Sequence, residues 1–338
     1  MATLQNTFKD LREEVQRYLG YGRETGFDGL SAGPRGDVLV CIERGLRQFY
    51  NPAPLPNESS SHEWSFLRGE GVIATVAPYT TGTVTVNGVA VTGSGTTFTD
   101  AMIGRIFHAN DEIREVAARG GAAAISLDRA LETNITSASS YEIIANEYTL
   151  PSDFGGIKGA FTYRDGDNYV PLKLVNESAI RMLRSQGDIR KDVPEYAAII
   201  PADVTNETTS AQGYKLTLFP FPDKIYDLYF AYTVMPNSPA DDSSSSSYDN
   251  NVPLGGMVHS ETILASCLTI AEQMVDEFNN PGKMQARYQE RLAASISFDR
   301  RNMLPDGFGY NADNSDRITQ IPSRRRMQTV THRNVLYP

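Results

Sequence analysis

The sequence predicts an α+β fold: a four-helix core formed by the two ends of the chain, a central β-sheet region and an inserted small β-barrel. Amphipathic helical patterns occupy the first 50 residues and recur between residues 260 and 300, whereas the interval between them carries short strand patterns. An amphipathic helix has to bury its apolar stripe against another element. We therefore expect the N-terminal helix pair to pack against the C-terminal pair.

The N-terminal pair starts with a helix whose apolar residues recur at spacings of three and four, and Gly20 and Gly22 end it. A second helix is predicted to follow Asp37, a good N-cap, and to stop near Tyr50 before Asn51-Pro52. The two apolar stripes are Leu4, Phe8, Leu11, Val15, Tyr18 and Leu19, then Val38, Ile42, Leu46 and Phe49.

The C-terminal pair is predicted from two caps. Ser260 would cap the first helix, and Asn280-Pro281 would start the second, with proline at the first helical position. The predicted inner faces are Ile263, Leu264, Cys267, Leu268, Ala271, Met274, Val275 and Phe278, then Met284, Tyr288, Leu292 and Ile296.

The inserted barrel is predicted from a hairpin. Asn87-Gly88 favours a type I′ turn, which would pair Val86 with Val89 and Val84 with Val91, all on one face. Further strands are predicted near Ile103–His108, Glu112–Ala117, Ala123–Leu127 and Tyr141–Ile144. Such closely spaced short strands indicate a small closed barrel over residues 75–145.

The remaining β patterns predict one second sheet, with strands at Tyr148–Leu150, Ala160–Tyr163, Tyr214–Phe219 and Leu228–Val234. Trp64-Ser65-Phe66-Leu67 is interpreted as a core strand before the barrel; an aromatic binding platform is the alternative. The predicted domains are a core of residues 1–74 and 146–300, the barrel 75–145, and an extended tail 301–338.

The charge is unevenly distributed. Residues 281–338 hold ten Lys and Arg against five Asp and Glu, a net +5, which leaves −15 for residues 1–280 within a total of −10. An acidic body with a basic end argues against phosphate binding by the whole chain and indicates a tail that seeks an acidic surface. No apolar run reaches the roughly 18 residues of a membrane helix, and the polar N-terminus is not typical of a signal peptide. Cys41 and Cys267 are predicted to be reduced core residues, with a disulfide as the alternative.

Catalytic, cofactor and metal sites are not predicted. The four histidines, His62, His108, His259 and His332, lack metal-ligand spacing, and phosphate-loop, dinucleotide and nucleophile-elbow motifs are missing from the sequence. Asn311, Asp313, Ser315 and Asp316 lack the glycine and glutamate of a calcium loop. Glu112 and Glu115 are interpreted as a solvated strand face rather than an acid/base pair.

The order of these parts resembles the head-to-tail adaptor (connector) proteins of tailed bacteriophages, a group that includes tail tubular protein A. Similar stretches are Thr92-Gly93-Ser94-Gly95-Thr96-Thr97-Phe98, Met102-Ile103-Gly104-Arg105, His259-Ser260-Glu261-Thr262-Ile263-Leu264-Ala265 and Phe298-Asp299-Arg300-Arg301. The resemblance implies a non-enzymatic structural protein of the virion, located at the head–tail interface and assembled in the host cytoplasm.

The resemblance also implies partners. These are the portal protein, a nozzle or tail-tube protein, and further copies of the chain in a dodecameric ring through which viral DNA passes without being read. The predicted portal-binding residues lie in the C-terminal tail and are Arg324, Arg325, Arg326, Arg333, Val335, Leu336 and Tyr337. The alternative function is a virion tail component or adhesin with a carbohydrate-binding β domain, which the β-rich, tyrosine-containing middle favours and the four helices disfavour. A tail-associated hydrolase would need a catalytic constellation that the sequence lacks.

Overall fold

A computed structural model describes residues 4–22, 26–54, 61–185, 189–202, 213–236, 250–275, 282–302, 330–332 and 335–337. The chain divides into two compact units. A helical unit comprises Met1–Arg68 and Val234–Ala312, and a β unit comprises Gly69–Thr233 and Asp313–Pro338. The predicted α+β class is confirmed.

Five α-helices and eighteen strands are assigned within the described residues. The helices are α1 (Phe8–Tyr18), α2 (Ala32–Tyr50), α3 (Glu177–Arg184), α4 (Gly256–Val275) and α5 (Lys283–Asn302). The strands are β1 (Arg68–Ala74), β2 (Thr83–Asn87), β3 (Ala90–Ser94), β4 (Ile106–Ala109), β5 (Glu112–Gly121), β6 (Ala124–Leu127), β7 (Ile135–Ser139), β8 (Glu142–Ile144), β9 (Glu147–Thr149), β10 (Phe154–Tyr163), β11 (Lys173–Leu174), β12 (Lys191–Asp192), β13 (Tyr196–Pro201), β14 (Tyr214–Phe219), β15 (Phe221–Pro222), β16 (Asp227–Val234), β17 (Val330–His332) and β18 (Val335–Tyr337).

The two N-terminal helices are both present, but α2 begins earlier than predicted. In α1, Thr7 and Asp10 form a capping box. Helix α2 begins at Ala32. Pro34 does not prevent this earlier start, because proline is tolerated in the first turn of a helix, where its missing N–H would have no helical partner. Asp37 is therefore inside the helix, and its carboxylate accepts a 2.5 Å hydrogen bond from Tyr21 Oη.

Helix α4 also begins before its predicted cap. It starts at Gly256, so Ser260 lies within the helix, where its hydroxyl accepts a hydrogen bond from the Asn6 amide at 2.7 Å. Met274 and Val275, predicted for the inner face, are exposed near the end of the helix. The inner face of α5 is confirmed at Tyr288, Leu292 and Ile296, which are buried. Asn280-Pro281 and Phe278 lie outside the described residues.

One apolar cluster in the helical unit contains residues from α1, α2, α4 and α5. Helices α2 and α4 approach so closely that a Cβ on Gly45 would lie 2.6 Å from Cys267 Cα. Cys41 and Cys267 are buried free thiols, as predicted. The buried members are Leu11, Val15, Val38, Cys41, Ile42, Leu46, Phe49, Trp64, Leu67, Ile263, Ala265, Cys267, Leu268, Ala271, Tyr288, Leu292 and Ile296. Trp64 is thus a core residue as expected, but its segment is a turn rather than a strand.

Residues 83–144 form a curled seven-stranded sheet in the order β7-β2-β3-β6-β5-β4-β8. Its curl follows from connectivity. Strands β7 and β8 are the two edges, yet only Ser140 and Tyr141 separate them in sequence. Three residue steps span at most about 10 Å, so the edges have to converge there.

The sheet is a half-barrel rather than the closed barrel that the sequence predicts. None of the strand pairings within residues 61–185 joins β7 to β8. The physical reason is that the outer edge of β8 is already occupied: Ile143 exchanges two 2.9 Å backbone hydrogen bonds with Tyr79. We call residues 75–145 the half-barrel module below.

The predicted hairpin is present with a different register. Asn87 pairs with Ala90 and Val86 with Val91, so the turn residues are Gly88 and Val89. Gly88 has φ +62°, whereas Asn87 does not have positive φ as a type I′ turn would require. The Asn134 side chain also accepts the Gly88 N–H at 2.8 Å, which favours this turn. Val89 is consequently exposed, whereas Val84, Val86 and Val91 are buried.

The strands predicted for one second sheet belong to two sheets. Strands β9 and β14 lie in the order β11-β13-β14-β9, whereas β10 and β16 lie in the order β1-β16-β10. Helix α3 and strands β1, β7, β11, β12, β13 and β15 were not predicted from the sequence. Helix α3 is only eight residues long, and its buried residue is Ile180, which packs against Ala198 and Phe219. A pattern this short gives little evidence of helical periodicity in the sequence.

Candidate partner-binding surfaces and the buried polar cluster

The predicted portal-binding residues lie in the C-terminal tail, of which the structure describes β17 and β18. Arg324, Arg325, Arg326 and Arg333 lie outside the described residues. Val335, Leu336 and Tyr337 form β18, which pairs antiparallel with β17 so that Leu336 lies opposite Thr331.

This C-terminal hairpin was not predicted, because residues 301–338 were expected to form an extended tail. A usable signal was present in two short runs of β-branched and aromatic residues on either side of two polar residues. Among the described strands, β17 and β18 form a two-stranded sheet of their own. Such hairpins are marginally stable alone, and their outer edges can add to the sheet of a partner.

A polar cluster in the helical unit joins residues that are far apart in sequence. Asp299 on α5 accepts hydrogen bonds from Ser65 Oγ at 2.5 Å and from the Ser65 amide at 3.1 Å. His62 Nε2 lies 2.9 Å from Asp299 Oδ2, and both side chains are at most 5% exposed. We call these three residues the Asp299 cluster; it ties the segment before β1 to the end of α5.

The charge of Asp299 is stabilised by these contacts. Burial acts to raise the pKa of Asp299, but hydrogen bonds from the Ser65 hydroxyl and amide and from His62 outweigh it and lower that pKa. A buried carboxylate is tolerated when hydrogen bonds of this kind replace its hydration. The cluster therefore fixes the local geometry as long as Asp299 is ionised.

Ser, His and Asp together invite comparison with a hydrolase triad, but the connectivity differs. A catalytic serine hydrogen bonds to histidine, which accepts its proton, and the aspartate supports the histidine. Here both Ser65 Oγ and His62 contact the carboxylate of Asp299. Among the described residues no hydrogen bond joins Ser65 Oγ to His62, so the cluster lacks the serine–histidine contact of a triad.

His259 lies beside the Asp299 cluster in an aromatic environment. Its ring centroid is 5.0 Å from Trp64, 5.2 Å from Phe66 and 6.2 Å from Phe298. Burial lowers the pKa of His259, while Asp299 acts in the opposite direction. Its Nδ1 is buried without a hydrogen-bond partner. His259 lies inside α4, which begins at Gly256, and not before the helix cap that Ser260 was expected to form.

The helical unit also carries an exposed apolar patch at the start of α4. The Phe8 amide donates to the Asn251 carbonyl at 2.9 Å and thereby brings the N-terminal segment alongside. The patch consists of Leu4, Val252, Leu254, Met257 and Val258, which are between 41% and 86% exposed. Contiguous exposed apolar side chains are typical of interaction surfaces.

In the β unit, three tyrosines cluster together and a lysine contacts two of them. The rings of Tyr163, Tyr169 and Tyr226 lie 5.1–5.6 Å apart. Lys224 Nζ lies 5.2 Å from the Tyr226 ring and donates to Tyr169 Oη at 3.3 Å. An aromatic group of this kind can bind a cation, but here the chain's own lysine occupies it.

The two acidic residues Glu112 and Glu115 do not form an acid/base pair. Glu112 and Glu115 are three residues apart on β5, so their side chains point to opposite faces. The Glu112 carboxylate accepts hydrogen bonds from Arg114 and from the backbone amide of Glu132 at 2.5 and 2.9 Å. It holds a loop and is not paired with a second acid.

The described residues contain no group of three or more His, Cys, Asp or Glu side chains arranged to hold a metal ion. Asn311, Asp313, Ser315 and Asp316 lie outside them. Among the described helices, none combines the length and the apolar character needed to cross a membrane.

Comparison with known proteins gives one family. A family model described as SU10 adaptor protein matches residues 71–309, which is more than two thirds of the chain. The match covers most of the β unit together with α4 and α5. Comparison with curated proteins gives no match.

Proposed function

Because the chain belongs to the SU10 adaptor protein family and is thus a phage structural adaptor, we propose that it is a ring-forming head-to-tail adaptor. In this proposal it docks on the portal protein, links the portal to a nozzle or tail-tube protein and forms part of the DNA conduit. The observation that carries the proposal is the family match over residues 71–309. A structural role in the virion, rather than catalysis, is what membership suggests.

We propose that the chain has three parts with separate roles, which correspond to the predicted domains. Residues 1–74 and 146–300 would form the adaptor core with a four-helix bundle, similar to the tail tubular protein A group. Residues 75–145 would be an inserted barrel-like domain, and 301–338 an extended tail. The apolar cluster shared by α1, α2, α4 and α5 supports the bundle. The ring would be a dodecamer assembled in the host cytoplasm.

The tail is the proposed portal anchor. Its arginines, Arg324, Arg325, Arg326 and Arg333, would form bidentate pairs with carboxylates on an acidic rim. Val335, Leu336 and Tyr337 would enter an apolar groove or add a strand to a sheet edge. The backbone pairing of β17 and β18 supports the strand option, since the segment already has β conformation.

The charge distribution supports passage of DNA without base recognition. Residues 1–280 carry −15, and an acidic lumen would repel the phosphate backbone rather than bind it. DNA could then slide through the ring during ejection.

The alternative, a tail component or adhesin with a carbohydrate-binding β domain, has less support. The tyrosines best placed to stack on a sugar are Tyr163, Tyr169 and Tyr226, and Lys224 already lies against two of them. Family membership favours the adaptor.

The experiment is attachment to portal complexes, visualised by negative-stain electron microscopy. Wild-type protein should add a ring of density below the portal, and a variant lacking residues 323–338 should fold normally but fail to attach. Changing Arg324, Arg325 and Arg326 to Glu should slow attachment and reduce its dependence on salt.

A matched control keeps the same change in net charge outside the tail. Arg44, Arg47 and Arg181 are exposed and can be changed to Glu together. This control should attach as the wild type does. Unchanged affinity of the truncated protein would contradict the anchoring role, and absence of any portal complex with wild-type protein would contradict the adaptor function itself.

A further inference from the structure

Edge strands of natural sheets usually carry a charge or proline that prevents pairing with another chain. Setting the C-terminal hairpin aside, all but one of the edge strands in the described sheets follow this rule. The protecting residues are Arg68 and Glu70 in β1, Lys158 in β10, Lys173 in β11, Glu147 in β9, Lys191 in β12, Pro222 in β15 and Glu142 in β8. Strand β7 has no charged residue and no proline. The uncharged stretch extends from Thr133 to Tyr141.

The centre of β7 is also uncovered on both faces. Thr136, Ser137 and Ala138 are all exposed. Successive strand residues point to opposite faces, so these three exposed residues mean that neither face is packed at the centre of β7, although Ile135 at its start is buried. The neighbouring β2 shows the usual alternation, with Val84 and Val86 buried. Within the half-barrel module, β7 therefore departs from the pattern of a strand completed by its own chain.

The backbone of β7 has capacity for a further strand. Its one neighbour among the described strands is β2, paired at Val84–Ser139 and Val86–Ile135 with an irregularity between. The Ser137 carbonyl accepts a 3.2 Å hydrogen bond from Ser139 Oγ, two residues along the same strand. A local side-chain bond of this kind substitutes for a missing ladder partner.

The surroundings of β7 do not repel an approaching sheet. The outward positions on β2, β3 and β6 are small or neutral, including Thr85, Ala90, Thr92 and Ser126. Electrostatic opposition between two copies would therefore come from the exposed Glu132, just before the uncharged stretch, and from the whole-chain charge of −10. Repulsion of that kind acts over a distance and is screened by salt.

We propose that the free edge of β7 is a self-association surface that pairs antiparallel with β7 of a second copy, centred on Ser137. In this register Ser137 faces its symmetry mate and Ile135 faces Ser139, so the strand is complementary to itself, as a two-fold contact requires. Pairing of five-residue strands buries less than the roughly 1,000 Å² of a stable interface. The dimer is therefore weak, forms as concentration rises, and strengthens with salt. This self-association does not depend on the adaptor function. Salt distinguishes the two: the dimer strengthens with salt, whereas the predicted portal attachment weakens with salt and uses the tail.

The direct test is cysteine cross-linking. Residues directly opposite in antiparallel strands have Cβ atoms about 4.5–5.5 Å apart, close to the range of a disulfide. Ser137→Cys should form a disulfide dimer under mild oxidation, seen on a non-reducing gel. Thr92→Cys is the matched control, because Thr92 is equally exposed but β3 already has a strand on each side. Native Cys41 and Cys267 are buried and should not contribute.

A second measurement uses sedimentation velocity over a concentration series at low and high salt. Ser137→Lys should weaken dimerisation by about tenfold or more, since it holds like charges opposite each other, whereas Ser137→Thr should retain it. Melting curves check that each variant is folded. The proposal is overturned if wild-type protein stays monomeric at all concentrations, if association is indifferent to Ser137→Lys, or if Ser137→Cys cross-links no faster than Thr92→Cys.

Discussion

The cores of the helical unit and of the half-barrel module differ in how many polar residues they bury. Among its described residues the helical unit buries nine that are polar or charged: Arg12, Gln16, His259, Ser260, Thr262, Ser266, Thr269, Ser295 and Asp299. In the half-barrel module, all of which the structure describes, the buried residues are apolar apart from Thr75 at its first position and the hydroxyl of Tyr141, which donates to the Thr81 carbonyl at 2.7 Å.

The difference shows how each region specifies its geometry. Helices can slide along one another, and directional bonds oppose this. Ser266 Oγ donates to the Gly45 carbonyl at 2.7 Å, linking α4 to α2, and Thr262 bonds Ser295 at 2.6 Å, linking α4 to α5. Strands of a sheet are already held in register by backbone hydrogen bonds. The half-barrel module can therefore fill its core almost entirely with apolar side chains.

The largest effect is expected from Phe107→Ala in the half-barrel module. Phe107 is fully buried, and its truncation should lower the free energy of unfolding by about 3–5 kcal/mol. Trp64 is the sole tryptophan and lies in the core of the helical unit. Its fluorescence therefore reports on the helical unit, while far-UV circular dichroism reports on both regions.

In urea titrations, Phe107→Ala should shift the transition of the half-barrel module and leave the Trp64 transition in place. Val89→Ala, at the exposed turn, is the control and should change neither. An equal shift of the Trp64 transition would show that the two regions unfold together and that the proposed insertion is not separable.

Truncation of a buried leucine in the helical unit should lower the stability of that unit by a comparable amount. Leu46→Ala or Leu268→Ala should each cost about 2–5 kcal/mol, because both leucines are buried in the shared apolar cluster. Trp64 fluorescence should detect the loss. Met257→Ala, on the exposed patch, is the control. If both leucine variants melt at the wild-type temperature, the proposed four-helix core is wrong.

A smaller effect is expected where α2 meets α4. Gly45→Ala should destabilise the helical unit by about 1–3 kcal/mol, since the added methyl would overlap Cys267 and separate the helices. Gly36 lies in the same helix with open space around it. Gly36→Ala should therefore stabilise the protein by about 0.5–1 kcal/mol through helix propensity. Thermal melts that show the same sign for both variants would contradict the close approach.

The smallest expected effect is a dependence on pH confined to the helical unit. Burial lowers the pKa of His259 from 6.5. Below pH 6.5 the histidine of the unfolded chain therefore binds a proton more readily than the histidine of the folded chain. The free energy of unfolding therefore has its full value with respect to His259 above pH 6.5 and declines as the pH falls below it. The pKa of Asp299 is also lowered, from 3.8, so a second decline should follow in more acid solution.

Urea titrations at several pH values, followed by Trp64 fluorescence, should show both declines. His259→Gln should remove the first and Asp299→Asn the second, whatever their effect on stability at neutral pH. A flat profile between pH 7 and 5 in the wild-type protein would contradict the buried neutral state of His259.

Local patterns predicted much of this fold. The apolar stripes of α1, α2 and α5 and most strands of the half-barrel module follow from period and composition, because both report on which face is buried. Helix starts were less well predicted. Asp37 and Ser260 are good caps by residue type, but each is used by a side chain or backbone group from elsewhere in the fold.

Of the candidate surfaces, the sequence indicated the basic tail and its apolar tip, which remain a prediction. It did not indicate the Asp299 cluster, since His62 and Asp299 are separated by most of the chain and neither has a local signature. The exposed edge of β7 was missed for a related reason. Its serine- and alanine-rich sequence is a weak strand signal, and only the strand order makes it an edge.

By itself the sequence determined the class of fold, the positions of the buried stripes and the uneven charge, because each depends on the spacing and type of nearby residues. Tertiary structure alone decided the turn register at Gly88, the open side of the half-barrel and the division of four predicted strands between two sheets. In each case the deciding contact joins distant residues: Asn134 with Gly88, Tyr79 with Ile143, and β9 with β14. Hydrogen bonds between such residues depend on the folded chain path, and no local period records them.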